Sequence, residues 1–401
     1  MNTRALIPAQ RCAAARRQAG FTLVELMISL VIGLFIVLAL VTLLINVNRN
    51  NSELTKTNRV IENGRIALQL LQEDVSHAGF WGGHVPQFDD LTATAAPADL
   101  PNDVPDPCLP FATPWTAAHL TNLVGIAAQG YGIGSPVPAP SVPVCASTPT
   151  GVITSAKANT DVLVVNHADT CAAGAAGCAA LTQGALYVQP SRCSTDTVTF
   201  SLEQYDPATF NVSALALRNR VCPVASFVEV RRLVSNLYYV RDYAVTPGDR
   251  IPTLMRSEFG VTAGVPARQP AQALIEGVEG FRIEFGIDSI SDSGGPVTQT
   301  VAVAWANPAN KTSPTNRGDG IPDGAYVHCG SAGCSWQQLI NAVAVKVYVL
   351  IRSERTTPGY VDSKTYNLGS TTLGPFPDGY KRHLFSQTIR LTNVASRRET
   401  P

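Results

Sequence analysis

Charge is what this sequence has least of. Only 15% of its 401 residues are charged, against roughly a quarter in an average soluble domain. The 30 Lys and Arg balance the 30 Asp and Glu, which argues against a nucleic-acid binder working through a large basic excess. Signatures of catalysis are missing too: there is no GxxxxGK[ST], no HExxH, no GxSxG and no CxxC. The six histidines (His77, His84, His119, His167, His328, His383) are scattered, and the glycine-rich runs lack the strand–helix context of a phosphate cradle. The chain therefore reads as a non-enzyme. With 45% hydrophobic residues it can bury a sizeable core and is not broadly disordered. Its length allows two or three domains, or one domain with large insertions.

The charge balance hides an asymmetry. Residues 1–20 hold Arg4, Arg11, Arg16 and Arg17 and no acid, and without them the chain carries 26 basic against 30 acidic residues. Phe21 to Val47 follows with a single charge, Glu25, no proline and one glycine, Gly33. At about 1.5 Å per residue, a helix of that length crosses a hydrocarbon core of roughly 30 Å with some tilt. The arginines before it, against Arg49, Lys56 and Arg59 mixed with Glu53 and Glu62 after it, put the N-terminus in the cytoplasm. A cleaved secretory signal has an apolar core of only about 7–15 residues and a small-residue cleavage site, and this segment has neither. A plain signal anchor leaves Glu25 unexplained, since a carboxylate in a membrane segment costs about 2.5–3.5 kcal/mol on insertion scales.

Gly20-Phe21-Thr22-Leu23-Val24-Glu25, after basic residues and before an apolar helix, resembles the class III signal of type IV pilins and pseudopilins. The resemblance implies cleavage between Gly20 and Phe21 by prepilin peptidase, N-methylation of the new Phe21 amine, and retention of the helix as a filament core. The physical logic is independent of the family. A cationic Phe21 amine begins a helix, and Glu25 lies one turn on, where the helix dipole favours an acid. Glu25 then pairs either with its own amine or with that of a neighbour; only the second pairing enforces a stagger between subunits.

Beyond the apolar segment, Leu54, Ile61, Leu68 and Val75 recur every seven residues with Leu71 between, an apolar stripe on an otherwise polar helix. Gly79 is the expected C-cap, so the helix is expected over about Thr22–Ala78, roughly 85 Å. Its continuation 48–78 leads into a globular domain over 79–401. Residues 97–149 contain 11 of the 28 prolines and read as a loop insertion. Strand signals follow at 161–166, 195–202, 227–233, 237–241, 281–287, 342–351 and 385–391, several alternating apolar with polar as half-buried antiparallel strands do. The fold class is α+β: a long N-terminal helix, half membrane-spanning and half amphipathic, packed on an antiparallel sheet.

Apart from Cys12, the cysteines are Cys108, Cys145, Cys171, Cys178, Cys193, Cys222, Cys329 and Cys334, an even number that reads as disulfides in an oxidising compartment. Short loops favour Cys171–Cys178 and Cys329–Cys334, and Cys108 and Cys145 are placed to clamp the Pro-rich stretch. A zinc reading with His167 and His328 lacks the CxxC pair it needs. Asn316, Asp319 and Asp323 in a Gly/Pro loop offer oxygens for calcium, but an Asp- and Gly-rich turn needs no metal, and no cofactor is expected. Arg317-Gly318-Asp319 is treated as coincidence.

The order of Ala67–Gly79, Leu274–Asp288, Trp336–Ser353 and Arg382–Arg398 is similar to the PilW family of type IV pilus minor pilins. That resemblance implies a role in initiating and capping pilus assembly, for twitching motility and surface attachment. The implied partners are prepilin peptidase, other minor pilins, the major pilin, a large pilus-tip adhesin and the inner membrane, with no nucleic acid. The implied location is a single pass through the inner membrane with a periplasmic C-terminal domain, and the cell-surface pilus after assembly. The rivals are a minor pseudopilin of a type II secretion system, sharing signal and helix, and a signal-anchored extracytoplasmic enzyme or binding protein.

Overall fold

A computed structural model describes residues 20–86, 99–111, 114–134, 145, 151–207, 215–222, 226–291, 294–299 and 317–396. Contacts divide the chain between Thr55 and Lys56 into two compact units. One helix, α1 (Leu23–His77), belongs to both. It stops where expected: Gly79 takes the left-handed conformation (φ +76°) that a side chain would disfavour, and the Phe80 amide turns back onto the His77 carbonyl at 2.9 Å.

The C-terminal unit is built on two antiparallel sheets. In the larger, β1 (Ala128–Ile133), β2 (Thr160–Ala172), β5 (Arg231–Arg241), β3 (Leu186–Pro190) and β4 (Phe200–Gln204) lie in that order, and β6 (Thr253–Thr262) adds to β5 and carries β7 (Val265–Arg268) and β8 (Gln272–Glu276). The smaller runs β10 (Val327–His328), β9 (Val278–Ile287), β11 (Ala342–Arg352), β14 (Arg382–Arg390). A hairpin of β12 (Tyr366–Leu368) and β13 (Thr371–Leu373) stands apart. Among the described residues three short helices flank the sheets: α2 (Ala117–Gly125), α3 (Trp336–Ile340) and α4 (Thr392–Ala395).

One core joins the elements. Val60, Ala67, Leu71 and Val75 of α1 meet Leu163 and Val165 of β2, Tyr238 and Val240 of β5, Phe281, Ile283 and Phe285 of β9, and Val345, Val347 and Val349 of β11. The opposite face of the large sheet is buried as well: Val162, Val164, Leu237 and Tyr239 pack with Cys108 and Cys145. Burial on both faces explains why β2 reads as an unbroken apolar run, where a sheet with one face in water would alternate. Tyr348 and Leu350 of β11 are covered likewise by Tyr366 and Leu368 of β12.

Several expectations are corrected. The apolar stripe is buried only in its C-terminal half: Leu71 and Val75 are buried and Leu68 half-buried, whereas Leu54 is 62% exposed and Ile61 41%. The buried face is Val60, Gly64, Ala67, Leu71, Asp74 and Val75, and its smallest residue, Gly64, stands where Phe385 of β14 comes close. A Cβ added to Gly64 would lie 2.1 Å from the Phe385 ring. The Pro-rich stretch 97–149 is not all loop. It contains α2, capped by the Thr116 side chain accepting from the His119 amide, and β1, whose GYGI segment pairs with β2. The signals at 227–233 and 237–241 merge into one strand, β5, and that at 195–202 is a strand only from Phe200.

Candidate functional site

The N-terminal unit presents a surface that water does not tolerate. From Gly20 to Ser52 every side chain but that of Gly33 is exposed, Phe21 at 83%, and the run is long and apolar enough to span a membrane. At about 25 cal/mol per Å² of apolar area, a segment of this kind is stable only when lipid or other helices cover it. The segment is membrane-anchoring.

The helix start is built by its own sequence. Thr22 sits one residue before α1; its amide donates to Glu25 Oε2 at 3.0 Å and its hydroxyl to the same oxygen at 3.0 Å, while the Glu25 amide donates to Thr22 Oγ1 at 3.3 Å. This is a capping box, in which two amides that the first turn cannot pair internally are satisfied reciprocally. In the uncleaved single chain Glu25 is therefore held by its own Thr22, and Phe21 is joined to Gly20 through a peptide bond and offers no free amine. The Thr-x-x-Glu spacing of Thr22 and Glu25 is the sequence signature of this cap.

In the C-terminal unit the eight cysteines form Cys108–Cys145, Cys171–Cys178, Cys193–Cys222 and Cys329–Cys334. None is a free thiolate, and the two histidines considered beside them are engaged elsewhere. His328 Nε2 lies 3.1 Å from Asp161 Oδ1, which also accepts from Arg282 Nη1 at 2.8 Å, while Asp161 Oδ2 accepts the Ile283 amide at 2.8 Å. Asp161 is on β2 and Arg282 on β9, so this buried group clamps the two sheets together. His167 lies against α1: its Nε2 is 3.0 Å from Asp74 Oδ1, which Asn236 Nδ2 also approaches at 2.9 Å. A third charged cluster gathers Arg382 with Glu279, Asp362 and Asp378 beneath the β12–β13 hairpin. Arg268, fully buried, donates to the carbonyls of Pro107, Ser235 and Ser257, and burial lowers its pKa to about 9.

Two members of the candidate calcium set bind backbone amides. Asp323 Oδ2 accepts the Ser289 and Ile290 amides at 2.8 and 2.7 Å, and Asp319 Oδ1 accepts the Ile321 amide at 2.8 Å. Asn316 lies outside the described residues, and among those described no cluster of three or more His, Cys, Asp or Glu could hold a metal ion.

Residues 15–41 match the prokaryotic N-terminal methylation motif, and residues 237–393, from within β5 through the smaller sheet to α4, match the family described as type IV pilus-assembly protein W. Comparison with curated proteins gives no match. Among solved structures, a type IV-like pilin from Thermus thermophilus aligns at 14% identity over 52% of this chain and 83% of its own, with a TM-score of 0.22. The methylation motif over residues 15–41 and the W-family match over residues 237–393 together support a PilW-like minor pilin of the type IV pilus with a class III N-terminal signal.

Proposed function

We propose that this minor pilin acts at the start of pilus assembly, as a structural component of the initiating and tip complex with no catalysis of its own. Prepilin peptidase cuts between Gly20 and Phe21, and the Phe21 amine is methylated. The helix holds the subunit in the inner membrane, N-terminus cytoplasmic and disulfide-bonded head outside, until it enters the filament beside other minor pilins, the major pilin and a large tip-associated adhesin. Glu25 then exchanges Thr22 for the Phe21 amine of a neighbouring subunit. The observation that carries this reading is the union, on one chain, of the methylation motif, a fully exposed apolar helix and the W-family head. The same union favours the pilus over type II secretion.

Deleting the gene and complementing it tests the reading. Surface pili and twitching are expected to be lost on deletion, restored by the parent chain, and accompanied by the mature chain in sheared fibres at low copy. Normal piliation in the deletion strain contradicts it.

A further inference from the structure

At the end of α1, Asp74 is buried to 9% exposure and His167, on β2, to 6%. The two ring nitrogens of His167 face oxygen acceptors: Nδ1 lies 2.8 Å from the Ala168 carbonyl and Nε2 3.0 Å from Asp74 Oδ1. A neutral imidazole carries only one N–H, so it can satisfy one of these contacts but not both; only the imidazolium donates to each. Asp74 Oδ1 also accepts from Asn236 Nδ2, 2.9 Å away on β5. Asp74 thus joins α1 to β2 through His167 and to β5 through Asn236, and the second proton on the ring turns the α1–β2 contact into an ion pair while leaving the Asn236 bond unchanged. Water can deliver that proton, because the group borders an open cavity of about 290 Å³ whose walls include Leu70, Glu73, His77, Asp169, Tyr238 and Arg256.

We propose that Asp74, His167 and Asn236 form a proton-operated latch that fastens the last two turns of α1 to the large sheet when His167 is doubly protonated and loosens them when it is not. The surrounding charges support this. From α1, Asp74 favours the cation, Glu73 lines the cavity on the exposed side of the helix, and His77, its ring 5.7 Å from that of His167, opposes it whenever it carries a charge. From β2, Asp169 favours it. From β5, the Tyr238 hydroxyl stays protonated because burial and Asp74 push its pKa up; from β6, Arg256 is tied to Glu258. Burial works against ionisation of His167, but the hydrogen bond and charge of Asp74, with the Ala168 carbonyl, outweigh it and raise the pKa above the ordinary 6.5. A raised folded pKa fixes the sign: the latch contributes fully below the unfolded value of about 6.5, and its contribution disappears as pH rises through the folded value.

The test uses the full chain in detergent micelles. Hydrogen exchange of residues 70–77 is followed from pH 6 to 9 as protection factors, and the His167 ring is titrated by NMR. In the parent, protection of this segment is expected to fall by about tenfold for each unit by which the His167 pKa exceeds 6.5. His167→Gln is expected to make that protection independent of pH, Glu73→Gln to leave the fall in place, and Asp74→Asn to drop the His167 pKa below 6.5. A His167 that titrates at or below 6.5 in the parent overturns the latch even if no variant folds. So does pH-independent protection in the parent, or an undiminished fall in His167→Gln.

Discussion

Gly64 stands in the middle of a helix, where glycine costs roughly 1 kcal/mol relative to alanine. A survey of helix propensity alone would mark Gly64→Ala as stabilising. The structure gives the opposite sign. The added methyl would sit 2.1 Å from Cε2 and 2.4 Å from Cδ2 and Cζ of Phe385, far inside contact distance. The ring is half-buried against the core from β14 and meets His383 edge-on at 4.6 Å, so making room for the methyl disturbs both contacts. Overpacking of this sort costs about 1–3 kcal/mol, which exceeds the propensity gain, so Gly64→Ala is expected to destabilise the head by about 1 kcal/mol. Removing the obstacle reverses the sign. In a Phe385→Ala background, itself destabilised by the lost ring, the same change is expected to stabilise by about 0.5–1 kcal/mol. The coupling between the two sites is then about 2 kcal/mol, within the range for residues in contact. Denaturant unfolding followed by near-ultraviolet circular dichroism reads all four corners of the cycle. Equal stabilisation by Gly64→Ala in both backgrounds would refute the close approach of α1 and β14.

Three further perturbations separate the parts of the molecule. In the chain-entropy treatment of cross-links, opening Cys108–Cys145, 37 residues apart, costs about 4 kcal/mol and opening Cys329–Cys334, 5 apart, about 2; unfolding of the paired serine variants is expected to keep that order, and the reverse order counts against the loop-length argument. Arg282→Ala strands the buried Asp161 carboxylate between the sheets and is expected to cost about 3–5 kcal/mol, read by the same denaturation. Glu25→Gln keeps a side chain that can complete the capping box but removes the charge. Subunits carrying it are expected to reach the membrane normally and to be depleted from sheared fibres, whereas incorporation at the parental level would assign Glu25 to capping alone.

How much of this was legible in the residues follows from the range of the interactions. The apolar run 21–47, the Gly79 stop and the strands β2, β9 and β11 are local patterns, and reading along the chain finds them. The buried face of α1 is not local: which stripe turns inward is decided by Phe385, more than three hundred residues away, and smallness at Gly64 and Ala67 outweighs greasiness at Leu54 and Ile61. Strand β1 hides among prolines because its GYGI segment, poor in β-branched residues, is a strand only through pairing with β2. The polar clusters were the least visible. Asp74 and His167 are 93 positions apart and Asp161 and Arg282 are 121 apart, and no spacing rule connects residues that only the folded sheets bring together.

The account rests most directly on the state of the N-terminus, which intact-mass and N-terminal peptide analysis of the native protein reads without reference to any phenotype. The expected product lacks residues 1–20 and begins at Phe21 carrying one N-methyl group. A native chain that still begins at Met1 in cells with active prepilin peptidase would contradict it.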